Sequence, residues 1–166
     1  MAKDSSFDIV SDYDLAKVTN AVEQSQREIT NRYDFKGTKA GLEFTDGAKN
    51  GITITGDNQF HLDAIVEILR KKLAGAGVNQ KILDTSKDPV ESNLQIKWDV
   101  AFKKGLDQEK TKQITKLLRD RYPKVKAQVQ GEEVRVSSPK RDELQAVIQL
   151  LKSTDFDFPL EFTNYR

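Results

Sequence analysis

Residues 52 to 70, ITITGDNQFHLDAIVEILR, lie without a gap over residues 134 to 152, VRVSSPKRDELQAVIQLLK. In both stretches an alternating, strand-like run gives way to a turn and then to apolar residues at helical spacing. Leu62 meets Leu144, Ala64 meets Ala146, Ile65 meets Val147, and Leu69 coincides with Leu151. Any amphipathic helix would produce some of these matches by chance. Strand, turn and helix agreeing together indicate an internal duplication.

Upstream of the first copy, SFDIV alternates like a strand, and Ser11 or Asp12 offers an N-cap to a helix running to about Tyr33. Leu15, Val18, Val22, Ile29 and Tyr33 form its apolar stripe. GLEFTD and GITITGD read as a hairpin around GAKN, followed by a helix from about Asn58 to Leu73 and a short strand, KILD. The polar stretch TSKDPVESN then reads as a linker, after which LQIKWDVAF restarts the pattern. A helix near 107 to 121, strands KVKAQVQG and EEVRVSS, a helix opened by Ser138 and Pro139, and a final strand PLEFTN complete the second round. The predicted fold class is α+β: two tandem ferredoxin-like (βαββαβ) domains, residues 1–88 and 89–166, each an antiparallel sheet with helices on one face. An exchange of SFDIVS into the sheet of the far domain is the alternative to this division, and strand parity does not choose between the two.

With 166 residues, 32% charged and 37% hydrophobic, the chain has the composition of a folded, soluble protein. It has no cysteine, which removes disulfides, thiolate metal sites and a cysteine nucleophile. No apolar run has the length of a membrane span and MAKDSSFDIV lacks the apolar stretch of a signal peptide, so a cytoplasmic location and no membrane partner are expected. The net charge is only +1, although the basic residues gather in the C-terminal half. A protein that coats long nucleic acid usually carries a larger excess. A small anionic ligand or a locally basic face fits better.

Catalytic patterns are missing. His61, the only histidine, reads as a helix-surface residue, and no paired-histidine metal site, nucleophile elbow or phosphate-binding P-loop occurs. The expectation is a protein that is not an enzyme and holds no cofactor or metal. The βαββαβ order also describes RNA-recognition folds, which stack bases on rings of the open sheet face. Parity places Trp98 with the core set. The outward set is Gln95, Lys97, Asp99 and Lys103, beside Lys126, Gln128, Gln130 and Arg135, with no stacking platform. Between 103 and 126 basic groups cluster, and Lys112, Lys116 and Arg119 share one stripe of the expected helix, reinforced by Lys124 and Lys126. This stripe is either a solvated face or a phosphate-facing patch.

The segment NRYDFKGTKAG, residues 31 to 41, has two readings as well. Tyr33 continues the apolar stripe and Gly37 suits a helix end, which makes the segment a helix-to-strand junction. Alternatively Arg32, Lys36 and Lys39 supply phosphate charges beside Phe35, a ring against which a purine can stack.

SFDIVS (6–11), RYDFKG (32–37), VQGEEVRVSSPKRDELQAVIQLLK (129–152) and PLEFTNYR (159–166) together resemble the YajQ family of bacterial proteins. The resemblance implies two ferredoxin-like domains and a non-enzymatic nucleotide-binding protein. Its expected ligand is cyclic di-GMP, GTP or another guanine nucleotide, sensed through a protein partner such as a transcription regulator. RNA, tRNA in particular, is the alternative ligand. Charge and geometry gather Arg32, Phe35, Lys36 and Lys39 from one domain and Lys97, Lys126 and Arg135 from the other as the expected binding residues.

Overall fold

In the computed structural model, which describes residues 4–47 and 49–166, the chain runs β1 (Ser5–Val10), α1 (Leu15–Asn31), β2 (Gly41–Phe44), β3 (Gly51–Gly56), α2 (Gln59–Gly75), β4 (Leu83–Asp84) and β5 (Val90–Ser92). It continues through β6 (Gln95–Phe102), α3 (Gln108–Arg121), β7 (Lys126–Gln130), β8 (Glu133–Ser138), α4 (Arg141–Ser153) and β9 (Glu161–Thr163). Two antiparallel sheets result, ordered β2-β3-β6-β4, with β5 on β6, and β7-β8-β1-β9. The two orders are equivalent position by position, as expected of two α+β, ferredoxin-like units.

The boundary at residues 88 and 89 is corrected by the pairing. One unit is Tyr13–Lys103; the other joins the segment ending at Asp12 to Lys104–Arg166. β1 lies between β8 and β9, with Phe7 opposite Val136 and Ile9 opposite both Val134 and Phe162. β6 takes the corresponding central place in the other sheet, with Ile54 opposite Trp98 and Ile52 opposite Val100. Each central strand thus belongs to the unit in which the helix following it does not lie. Both alternate with apolar residues on one face, so either satisfies the periodicity of either sheet.

Each unit has its own core. In residues 13–103, Val18, Val22 and Ile29 of α1 and Leu62, Ile65, Leu69 and Leu73 of α2 are buried against Ile52, Ile54, Ile96 and Val100. In the other unit Ile114 and Leu118 of α3 and Leu144, Val147 and Leu151 of α4 cover Phe7, Ile9, Val134 and Val136. These are the i, i+3, i+4 positions of the helices and one parity of the strands, so burial of apolar surface accounts for the pattern.

Several local expectations change. The N-cap of α1 is Asp14, whose carboxylate accepts the N–H groups of Ala16 and Lys17, rather than Ser11 or Asp12. α4 begins at Arg141, not at Pro139, while the Ser138 hydroxyl accepts the Lys140 N–H and donates to Glu143. The stretch read as a linker contains β5, which turns into β6 through Asn93 and Leu94 at φ 48° and 64°. Two consecutive positive φ angles are what a two-residue hairpin turn of matching twist requires, and Asn tolerates them far better than Leu does. Leu94 also buries nothing, being 92% exposed. Leu94→Gly should therefore raise stability by about 0.5–1 kcal/mol. An unchanged or lower urea midpoint would refute the strain.

Candidate functional site

The helical phase of α1 does not reach Tyr33. The helix stops at Asn31, Arg32 is extended, and Tyr33–Phe35 form a single 3-10 turn. A turn of three residues per repeat rotates the side chains away from the α-helical stripe. Tyr33, expected in the core, is 88% exposed, and Phe35, expected as a stacking ring, is 4% exposed. The Phe35 ring stands edge-on to His61 at 5.4 Å between centroids, and the Arg32 guanidinium lies 5.0 Å from its centre. Arg32 also holds Asp34 through two hydrogen bonds, Nε to Oδ1 at 3.0 Å and Nη2 to Oδ2 at 2.9 Å. This bond keeps the Asp34 carboxyl below the usual carboxylate range.

His61 is buried rather than on the helix surface. Its Nδ1 accepts the Asp57 N–H at 3.0 Å, which leaves the ring proton on Nε2, and its Cβ sits over Gly56. A Cβ on Gly56 would approach that atom to 2.5 Å. The close approach clamps the first turn of α2 to the end of β3. Asn58 caps the helix by accepting the His61 N–H. Phe60, on the same turn, is 71% exposed, and neither periodicity nor motif singled it out.

Lys39 ties the loop to the rest of this end of the unit. Its backbone N–H donates to Asp57 Oδ1 at 2.9 Å, and its ammonium donates to the Asn93 carbonyl at the hairpin tip at 3.2 Å. Lys36 is exposed and borders a cleft of about 510 Å³ between the last turns of α1, at Gln26 and Thr30, and the start of β2. A second hollow of about 400 Å³ is walled by Asp57 and residues 91–96, two of which Lys39 engages. Contacts of Arg32, Phe35, His61 and Lys39 thus hold the 32–39 loop against the start of α2, and Tyr33, Lys36 and Phe60 are exposed at the adjoining chain positions. Chemically this surface can neutralise phosphate and offer a face to a base.

The other expected residues lie elsewhere. Lys97 is exposed on β6, opposite Thr55 and Val90. Lys126, on β7, and Arg135, on β8, belong to the other sheet, although parity had set them beside Lys97; the strand that flanks β8 on its other side is β1 and not β6. Arg135 is engaged by Asp8, Nε to Oδ1 at 2.9 Å, and Asp8 further accepts from Asn164 at 2.8 Å and has Arg166 at 3.9 Å. Lys112, Lys116, Arg119 and Lys124 are all exposed, with Ile114 and Leu118 on the buried side of α3. Trp98 is partly buried against the core, as its parity requires, and donates its indole N–H to the Lys87 carbonyl. Among the described residues no group of three or more His, Cys, Asp or Glu could hold a metal ion, and no helix is long and apolar enough to cross a membrane.

A family model described as nucleotide-binding protein YajQ-like matches residues 5–166. The chain is 46% identical over 166 residues to a nucleotide-binding protein of Trichodesmium erythraeum, covering all of both chains. It is 48% identical over 164 residues to one of Nocardioides sp., covering 98% of this chain and 99% of the relative. A nucleotide-binding protein of Nostoc punctiforme is 44% identical over 166 residues, again along the whole of both.

Proposed function

Since the chain belongs to the YajQ-like family of nucleotide-binding proteins, we propose that it is a non-enzymatic receptor for a guanine nucleotide, cyclic di-GMP before GTP, and that it acts in the cytoplasm through a protein partner such as a transcription regulator. What supports the site is the contact of Phe35 with His61 and of the Lys39 N–H with Asp57, which brings the 32–39 loop to the start of α2, while Tyr33, Lys36 and Phe60 beside them in the chain are exposed. An exposed ring contributes stacking to a bound base, and ammonium groups contribute charge to its phosphates. Arg32 belongs to the same set. Phe35 supports the loop from the core instead of stacking, and Arg135 is left out because the carboxylate that engages it, Asp8, is buried, whereas both partners of the Arg32–Asp34 pair are exposed. Lys97 remains as an exposed cation of the same unit, and Lys126 is an exposed cation of the other.

Titration calorimetry with cyclic di-GMP, GTP and a short RNA tests this reading. A saturable dinucleotide or GTP isotherm is expected. Tyr33→Ala should weaken it roughly ten- to hundredfold, because stacking one base is worth about 1–3 kcal/mol. Lys36→Ala with Lys39→Ala should weaken it further and flatten its salt dependence. Binding that ignores all three substitutions places the site elsewhere.

The second reading, an RNA-associated protein, is favoured by the exposed stripe of Lys112, Lys116 and Arg119, backed by Lys124. Under it, reversing the three stripe residues to glutamate should abolish salt-sensitive RNA binding and leave nucleotide binding intact. RNA affinity that survives the reversal removes the stripe from consideration.

A further inference from the structure

We propose that Asp34 is the base-reading residue of this site and that it selects guanine by exchanging one guanidine fork for another. The inference rests on the nucleotide reading above. In the structure the Asp34 carboxylate is met by two N–H donors of Arg32, at 3.0 and 2.9 Å. A carboxylate only accepts, so a partner that replaces both bonds must present two neighbouring N–H groups side by side.

Among the common bases guanine alone carries that arrangement. Its N1–H and the amino group on C2 are, with N3, a guanidine built into the ring. Adenine and cytosine set a single amino group beside an acceptor nitrogen, and uracil sets one N–H between two carbonyls. Arg32 therefore stands where a guanine edge would lie. The exchange preserves both hydrogen bonds of Asp34. An acceptor nitrogen of adenine would instead face a carboxylate oxygen and leave it unpaired.

The pair is easy to open. The Arg32 and Asp34 side chains are 40% and 46% exposed, and exposed ion pairs contribute little to stability. Arg32 keeps a second contact when it leaves, the Phe35 ring beneath its guanidinium, so its charge stays at the site beside Lys36 and Lys39. Tyr33, between the two residues in the chain and 88% exposed, is the adjoining face on which the base would stack.

GTP, ATP and XTP titrated into wild-type protein, Asp34→Asn and Arg32→Ala give the test. Wild type should prefer GTP over ATP by roughly ten- to hundredfold, the discrimination of one bidentate base contact. In Asp34→Asn the amide presents one acceptor and one donor, which matches N1–H and the C2 carbonyl of xanthine, so XTP should overtake GTP. Arg32→Ala should keep the preference for GTP over ATP while all affinities fall, since Asp34 remains. A purely structural Asp34 would lose every ligand alike and gain no affinity for XTP. Equal binding of GTP and ATP by wild type, or an unchanged GTP preference in Asp34→Asn, overturns the assignment and leaves the nucleotide reading standing. Absence of any nucleotide binding by wild type overturns that reading itself.

Discussion

Phe35→Ala should cost the unit of residues 13–103 about 3 kcal/mol of stability, whereas Tyr33→Ala, two positions away, should change it by less than about 0.5 kcal/mol. Phe35 is 4% exposed and packed against the Arg32 guanidinium and the perpendicular His61 ring, so its removal leaves a cavity lined by groups that other contacts hold in place. His61 cannot move into the space freely, because its Nδ1 is bonded to the Asp57 N–H and its Cβ sits over Gly56. Tyr33 covers no apolar surface of comparable extent, being 88% exposed. Binding should follow the opposite order between Tyr33→Ala and Phe35→Leu, the second of which fills most of the cavity. Urea denaturation beside calorimetry on the three variants separates the roles. A Phe35→Ala protein of wild-type midpoint that binds no nucleotide would make Phe35 the stacking ring after all.

Asp8→Ala should cost the other unit about 2 kcal/mol. The carboxylate is 2% exposed in the middle of its sheet, with Arg135, Asn164 and Arg166 converging on it. Removing it strands the Arg135 and Asn164 donors. Both arginines are partly exposed, so water recovers a share of the loss and holds the figure well below that of a fully buried pair. The Arg135 hydrogen bond, with help from Asn164 and the two arginine charges, keeps the Asp8 carboxyl below its usual range despite its burial. A pKa depressed in the folded state means that the unfolded chain takes up the proton first as pH falls. The stabilisation is therefore complete above the ordinary carboxylate value near 4 and disappears as pH drops through the lower folded value. The gap in unfolding midpoint between wild type and Asp8→Asn should be constant from pH 8 to 5 and close below about pH 4. A gap that persists unchanged to pH 2.5 would show that Asp8 acts by shape and not by charge.

The candidate site was half visible before the fold was known. RYDFKG stood out for its charges, and Lys36 and Lys39 are exposed. The two aromatic residues exchanged roles because the last turn of α1 was extended by periodicity past Asn31. Three residues of 3-10 geometry are too few to leave a periodic signature, yet enough to reverse which ring faces the core. Phe60 and the Lys39 bridge to Asn93 had no signal at all. The partners of Lys39 lie at Asp57 and the hairpin tip, and no spacing rule links residues so far apart in the chain; Phe60 is marked only by its exposure.

Alternation of apolar residues and the duplicated strand-helix block dictate the element types, their order and the equivalence of the two sheets, because which side of an element meets apolar neighbours is written in its own period. Which sheet receives a strand is not written there. SFDIVS and QIKWDVAF each carry one apolar face and one polar face, and either would close either sheet. The choice is made by side chains that meet only across strands, such as Asp8 with Arg135 and Thr53 with Asp99. These are pairings between distant parts of the chain, and they acquire an energy only once the strands lie side by side.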